Sequence, residues 1–188
     1  MNTVLKSLLA LSVAALASQV QAAPYQSIVP AKSSITFQFK QMGVSADGRF
    51  KKFAAQVNFD PAKAEQGKAS FEVELASVDT GSGEADQEVV TKSWFNTAAF
   101  PKAHFVSKQI KPTGPNQYEV LGTLSIKGQS REVKFPLKHT PQGKDGLLTG
   151  GFTLKRADYS IGEGMWAKFD VVANDIQVNF SLTASQGK

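Results

Sequence analysis

Few side chains in this 188-residue chain have the types and spacing that catalysis needs. Cysteine is absent, and there are only two histidines, His104 and His139. Neither histidine lies in a G-x-S-x-G segment or a metalloprotease helix motif, so no nucleophile is paired with a base. His104 has apolar strand neighbours, which favours a structural role, and His139 is expected to be solvated in a turn. We therefore predict no enzyme activity, no catalytic residue, no metal site and no required cofactor.

A second pair of polar residues follows an apolar strand at the point where the chain becomes irregular. Arg156 and Asp158 lie two residues apart there. Two interpretations stay open: a structural ion pair, or polar groups at the mouth of a cavity. Gly81-Ser82-Gly83 has the start of a phosphate loop but lacks its third glycine, so it predicts no nucleotide site.

The termini and the charge limit where the protein acts and what it binds. Residues 1–22 have a weakly basic start, an apolar run and small residues before Ala23, which predicts a cleaved signal peptide followed by a single domain at 23–188. No later stretch approaches the roughly 20 apolar residues that a membrane span needs. The formal charge of +5 is spread along the chain without a basic run, so we expect no nucleic-acid partner.

Alternation of apolar and polar residues dominates the rest of the chain and predicts about eight antiparallel strands, each with one apolar face. The predicted strands are 33–40, 49–60, 70–75, 103–110, 118–126, 131–138, 148–154 and 175–183. Gly43 with Asp47-Gly48, 111–116 and 141–146 are expected to form turns or loops. Such a set of strands forms either a sandwich or a closed barrel.

One stretch, 82–100, does not alternate. Ser82 is placed to cap a helix that begins with Glu84 and Asp86, and we expect about two to three turns. Val90 and Trp94 would then share a face. This insert is either a lid over one end of a container or a plug that completes a solid core, and the residues alone leave both open. The same holds for the 13 phenylalanines, which could line a tunnel or fill a core.

The order and spacing of several short motifs resemble the YceI-like family of lipid-binding, lipocalin-like proteins. These motifs are Ser34-Ile35-Thr36-Phe37, Met42-Gly43, Gly48-Arg49-Phe50 with Phe53, Val78-Asp79-Thr80, 86–95 ending in Ser93-Trp94-Phe95, Phe100-Pro101 with Phe105 and Ser107, Gly122 to Gly128, and Arg156 with Asp158-Tyr159. The resemblance extends over nearly all of residues 23–188. Ala85-Asp86 and Val89 stand where many family members carry an Arg-Asp pair and a His.

The resemblance implies an all-β fold: an antiparallel, lipocalin-like barrel of about eight strands with a short helical insert. It also implies a periplasmic protein that binds, sequesters or transports a long-chain lipid in an apolar interior. The expected ligand is an isoprenoid quinone, a prenyl diphosphate or another long-chain lipid. The expected ligand-binding residues are Phe37, Phe39, Phe53, Phe71, Trp94, Phe95, Phe135, Phe152 and Phe180, with Arg156 and Asp158 at the mouth. A mouth residue such as Arg156 or Lys92 would only orient a head group.

Other functions remain open on the sequence. The chain could be a structural or interaction protein with a filled core, or a redox partner linked to a quinone or lipid. Transient contact with a membrane or a membrane protein, and a homodimer, are also compatible with the residues. A hollow interior would separate lipid binding from the filled-core alternative.

Overall fold

A computed structural model describes residues 23–186 of the chain, so the predicted signal peptide at 1–22 lies outside the described residues. The described part contains eleven β-strands and one α-helix. The strands are β1 Tyr25–Ile28, β2 Ser34–Gln41, β3 Val44–Phe50, β4 Phe53–Phe59, β5 Lys68–Glu74, β6 Val78–Asp79, β7 Lys102–Gly114, β8 Gln117–Ile126, β9 Gln129–Gln142, β10 Asp145–Lys155 and β11 Asp175–Gln186. The helix α1 is Gly83–Val89.

Eight of the strands close into an antiparallel barrel in the order β1, β4, β5, β7, β8, β9, β10, β11 and back to β1. Closure depends on β11, which pairs with β10 on one side and with two strands on the other. Its first half pairs with β2 and its last residues pair with β1. The strands β2, β3 and β6 therefore extend from the barrel as a flap beside β11. The predicted barrel is confirmed.

The alternation of apolar and polar residues along a strand matches an alternation between side chains inside the barrel and side chains outside it. In β8, every second residue from Tyr118 to Ile126 is buried. The following turn consists of Lys127 and Gly128, both with positive φ (49° and 75°), as a two-residue hairpin turn requires. Glycines inside strands make room for rings: a Cβ on Gly122 would lie 2.4 Å from the Phe105 ring.

The first turn is predicted correctly at Gly43 and wrongly at Asp47-Gly48. Asp47 and Gly48 lie within β3, and the chain reverses at Met42-Gly43, whose φ angles are 49° and 80°. Gly48 is required for packing instead, because a Cβ there would lie 2.3 Å from the ring of Phe37 on the paired strand. From the neighbouring sequence alone, a glycine that makes room for a ring on the paired strand cannot be distinguished from a glycine in a turn.

The expected loops at 111–116 and 141–146 are also mostly strand. β7 extends to Gly114 and β9 extends to Gln142. The reversals shrink to Pro115-Asn116 and Gly143-Lys144. Pro112 is tolerated next to a shift in the β7–β8 register, where the ladder loses its regular donor pattern.

The helical insert begins as predicted and ends early. The Ser82 side chain accepts a hydrogen bond from the Ala85 backbone N–H at 3.4 Å, which confirms the cap. The helix ends at Val89, so Val90 and Trp94 do not share a helical face, and Trp94 lies in the turns that follow. Among residues 23–186, no helix is long and apolar enough to cross a bilayer.

Candidate functional site

The barrel interior is hollow, with a cavity of about 620 Å³. This is within the range of ligand sites for small molecules, roughly 300–1,000 Å³. Its walls are aliphatic and aromatic side chains from most of the barrel strands, from β2 and β3, and from the helical insert. At about 30 Å³ per water-sized group, the volume accommodates a chain of roughly twenty carbon atoms.

Most of the sequence-predicted binding residues line this cavity. They are Phe37, Phe39, Phe71, Trp94, Phe95, Phe135, Phe152, Arg156 and Phe180. Phe135 is the centre of the aromatic wall, with its ring centroid 5.5 Å from those of Phe105, Phe152 and Phe180. The structure therefore brings together residues that lie far apart in sequence.

Phe53 and Asp158 are not among the residues that line the cavity. Phe53 lines a second pocket, together with Phe50, Lys51 and Lys52. It begins β4, which follows β3 in sequence but is not paired with it, and its side chain packs partly buried against the core. Asp158 is exposed to solvent.

One end of the barrel is closed by aromatic side chains. Phe59 is 1% exposed and lies between Tyr25 and Tyr118, with ring centroids 6.5 Å and 5.1 Å away. His139 on β9 completes this group, at 5.2 Å from the Tyr25 ring. Because these rings pack on one another, no exposed residue of this end lines the cavity.

Both histidines are placed opposite to expectation. His139 is 3% exposed, and its Nε2 lies 3.0 Å from Tyr25 Oη. Burial lowers the pKa of His139 below its ordinary value of 6.5, because the charged imidazolium loses water. His104 is exposed on the outer wall, 3.5 Å from the Glu72 carboxylate. The expectation of a solvated His139 and a packed His104 is therefore wrong, since His104 is on the outward face of β7.

Arg156 is the most deeply buried charged residue at the other end, with 2% of its surface exposed. It makes no ion pair with Asp158 among the described residues. Instead, its guanidinium donates six hydrogen bonds of 2.7–3.2 Å to backbone carbonyls. The acceptors are the carbonyls of Ile161, Gly162, Trp166, Lys168, Val172 and Ala173.

The Arg156 guanidinium is enclosed on its faces as well. Its Cζ lies 5.5 Å from the Trp94 ring centroid and 5.1 Å from that of Phe169. Burial lowers the pKa of Arg156 from its ordinary value. A guanidinium has five N–H groups, so six bonds leave no free donor for a ligand. Arg156 therefore shapes this end of the cavity and cannot recognise a head group with an unused N–H.

The cavity reaches the surface at this same end. Its polar lining consists of Gln41, Thr80, Ser82, Glu84 and Glu88, besides Arg156, and of these Gln41, Ser82 and Glu84 are exposed. We call this opening the mouth. Two carboxylates lie at it, and the exposed Lys92 does not line the cavity.

Helix α1 forms one side of the mouth and is held by two side-chain contacts. Asp86 accepts hydrogen bonds from the Thr80 hydroxyl and backbone N–H at 2.7 and 2.8 Å. Glu88 accepts one from the Trp166 indole N–H at 2.8 Å. Ala85 and Val89 line the cavity, so the two positions where family members often carry Arg and His do face it here, with apolar side chains.

Several lining residues carried no sequence signal. Trp166 lies in an irregular segment without periodicity, and Phe105 lies on a strand with two mixed faces. Phe50 was assigned to one predicted strand, 49–60, where alternation puts it on the face opposite Phe53, whereas it ends β3 and Phe53 begins β4. Glu88 gave no signal either, because an acidic residue on a short helix is most often solvated.

Comparison with known proteins agrees with this architecture. The YceI-like domain model matches residues 26–184. A UPF0312 protein of Photorhabdus laumondii is 33% identical over 145 residues, which cover 74% of this chain and 75% of that protein. The crystal structure of Burkholderia cenocepacia BcnA superposes with a TM-score of 0.82 at 40% identity, covering 84% of this chain and 99% of that one.

A more distant structure has the same fold. It is a polyisoprenoid-binding domain from Saccharophagus degradans implicated in plant cell wall breakdown, with a TM-score of 0.69 and 18% identity, covering 87% of this chain and 99% of that domain. The closed barrel, the hollow apolar interior and the domain match at 26–184 lead to one assignment. The chain belongs to the YceI-like family.

Proposed function

We propose that this protein binds an isoprenoid lipid in the barrel cavity and carries or sequesters it in the periplasm. The observation that supports the proposal most strongly is the cavity itself, which is enclosed by apolar side chains along its length and open at one end. The Saccharophagus domain of the same fold is a polyisoprenoid-binding domain. The predicted signal peptide supports export.

The energetics favour binding through the tail. Each buried methylene contributes about 0.8 kcal/mol, so about ten of them contribute roughly 8 kcal/mol before the costs of association. The cavity has room for a longer chain than that. Affinity can therefore come from the apolar walls, and catalytic groups are not needed for this function.

The charges at the mouth favour a neutral head group. Glu84 and Glu88 line the mouth, and within residues 23–186 the one cation that lines the cavity, Arg156, has no free donor. A diphosphate would face two carboxylates without a compensating cation, whereas a quinone ring carries no net charge. We therefore propose an isoprenoid quinone as the ligand in preference to a prenyl diphosphate.

The first test identifies the ligand. The protein is purified from its native compartment without detergent, examined by native mass spectrometry, and extracted for lipid analysis. We expect a stoichiometric isoprenoid lipid. An apo mass, together with no uptake of an added isoprenoid quinone, would contradict the proposal and favour the solid-core alternative.

A pair of matched variants places the ligand. Ala69 lines the cavity on β5, whereas Ala54 on β4 is exposed and does not. Ala69→Trp should fill the cavity and reduce quinone affinity at least tenfold, because the tail loses its volume. Ala54→Trp should bind like the wild type. Equal affinities in two folded variants would show that the ligand binds elsewhere.

A further inference from the structure

Two segments next to the mouth carry apolar side chains that the fold leaves in solvent. Met42 is 69% exposed, Val44 69%, Met165 85%, Phe169 49% and Val171 36%. We call these five residues the rim. They come from two segments, the β2–β3 turn and the loop 161–173, which are far apart in sequence.

Backbone contacts hold the two segments of the rim together. The Met42 N–H donates to the Val171 carbonyl at 2.8 Å, and Ala173 N–H donates to Lys40 O at 3.0 Å. Gln41 forms an isolated bridge with Val172. The rim is therefore one surface with a defined geometry.

Arg156 explains why the rim side chains are in solvent. The loop 161–173 turns six of its carbonyls toward one buried guanidinium. When the carbonyls of a loop point inward to one central group, many of the side chains of that loop point outward to solvent. Met165, Phe169 and Val171 are the apolar part of that outward surface.

The rim is continuous with the cavity mouth. Three lining residues are each the sequence neighbour of a rim residue: Gln41 of Met42, Trp166 of Met165, and Val172 of Val171. A chain leaving the cavity at this point therefore emerges close to the rim side chains. Apolar surface around a lipid exit indicates where the lipid is exchanged.

The chemistry of the rim indicates a bilayer as its partner. The rim consists of side chains at the tips of a turn and a loop, which enter an acyl layer one by one, whereas a protein partner would need a matching pocket for each. The charges of these segments nearly balance: Lys40 and Lys168 stand against Asp170 in the sequence, and Glu163 is paired with Lys127 at 2.7 Å. Attraction to anionic lipid is therefore a minor contribution.

We propose that the rim inserts into the interface of a lipid bilayer and that the cavity exchanges its ligand there. The proposal rests on the proposed function only for the identity of the transferred molecule, because vesicle binding by the protein alone does not require a ligand.

The test compares rim variants with a matched control off the rim. Val106 is 56% exposed on the outer face of β7, so Val106→Ser removes the same kind of surface elsewhere. The main variant combines Met42→Ser, Met165→Ser and Phe169→Ser. A second variant keeps Phe169, which packs on Arg156, and changes only Met42 and Met165.

Binding is measured by co-sedimentation with phosphatidylcholine vesicles, with and without phosphatidylglycerol, at low and high salt. We expect wild type and Val106→Ser to sediment with both vesicle types, with little effect of salt. The two rim variants should lose at least about tenfold in vesicle affinity, because the inserted apolar surface is gone. Transfer of a quinone from protein to vesicles should slow by at least fivefold.

Three results would overturn the proposal: a wild type that stays in the supernatant, folded rim variants that sediment like the wild type, or a dimer that buries the rim in solution. Binding of a short-chain isoprenoid quinone without vesicles is measured in parallel. If the rim variants still bind the quinone and lose only their affinity for vesicles, both proposals are supported, each by its own measurement. If neither the wild type nor any variant binds the quinone, the proposed function fails, and the vesicle measurement alone decides the role of the rim.

Discussion

The two ends of the barrel are closed by different means. At the closed end, Tyr25, Phe59, Tyr118 and His139 pack ring on ring, and all four belong to paired strands of the barrel. At the mouth, the covering loop contributes backbone carbonyls to one guanidinium, that of Arg156.

The difference shows how one barrel can be stable and still exchange a ligand. Side-chain packing between strands seals an end permanently, because any opening breaks the sheet. A loop folded around one buried cation has a defined shape but depends on local contacts only, so it can open without unfolding the barrel. The mouth is accordingly the end where the cavity lining includes exposed polar residues.

The largest effect should come from Arg156→Leu. Leucine fills part of the volume but leaves six buried or half-buried carbonyls without their donor, and each unsatisfied group costs about 1–3 kcal/mol before water or relaxation compensates. We expect the free energy of unfolding to fall by at least about 3 kcal/mol in a denaturant titration.

Because different contacts close the two ends, Arg156→Leu should affect the mouth and leave the closed end unchanged. Hydrogen exchange should increase over 161–173 and the rim, while the region of Tyr25 and Phe59 stays protected. Arg156→Lys keeps the charge but offers three donors on a different geometry, so it should recover only part of the stability. A loss below about 0.5 kcal/mol would contradict the role of Arg156 as the centre of the loop.

The strands were predictable because their signal is local. Period-two alternation identified β8 and β9 and the turn at Lys127-Gly128. The number of one-faced strands left a sandwich and a barrel open, and the resemblance to the YceI-like family implied the barrel. The errors came from residues whose meaning is set by a distant partner. Gly48 has the sequence context of a turn glycine, but it lies within a strand, under the ring of Phe37 on the neighbouring strand.

The site was predictable in its walls and not in its mouth. Inward phenylalanines such as Phe135 and Phe152 follow from alternation alone. The environments of Arg156 and His139 do not, because the six carbonyl acceptors come from an irregular loop and Tyr25 is 114 residues away from His139. Phe53 has the right periodicity but begins β4, which is not paired with β3, and only the topology reveals this.

The closed end should be sensitive to acid through His139. Burial lowers the pKa of His139 in the folded protein, so the unfolded chain binds a proton at higher pH than the folded one. The stability that the neutral, buried His139 provides is therefore complete above its ordinary pKa of 6.5 and is lost as the pH falls from there toward the lowered value. Melting temperatures measured between pH 7 and pH 5 should fall by several degrees.

Two histidine variants separate this effect from general acid destabilisation. His139→Leu removes the titrating ring, so its melting temperature should depend less on pH in that window. His104→Gln changes the exposed histidine of the outer wall and should keep the acid sensitivity of the wild type. Equal pH dependence in wild type and His139→Leu would show that another group is responsible.

The smallest expected effect tests the charge of the mouth. Glu88→Gln keeps an oxygen that can accept the Trp166 indole N–H, so the contact between α1 and the loop survives while one negative charge is lost. Screened charges at a partly solvated mouth interact weakly, and the stability change should stay within about 0.5 kcal/mol.

Ligand selectivity should respond more clearly than stability to the loss of that charge. Affinity for a prenyl diphosphate should rise about three- to tenfold in Glu88→Gln, and further when Glu84→Gln is added, because a dianionic head group no longer approaches two carboxylates. Affinity for a neutral isoprenoid quinone should not change. Glu132→Gln, on the outer wall beside Lys108, removes the same charge without touching the mouth and should leave both affinities unchanged. If diphosphate affinity is unaltered in the double variant, the head group does not lie at the mouth, and the ligand must be oriented with its head toward the ring cluster of Tyr25 and Phe59.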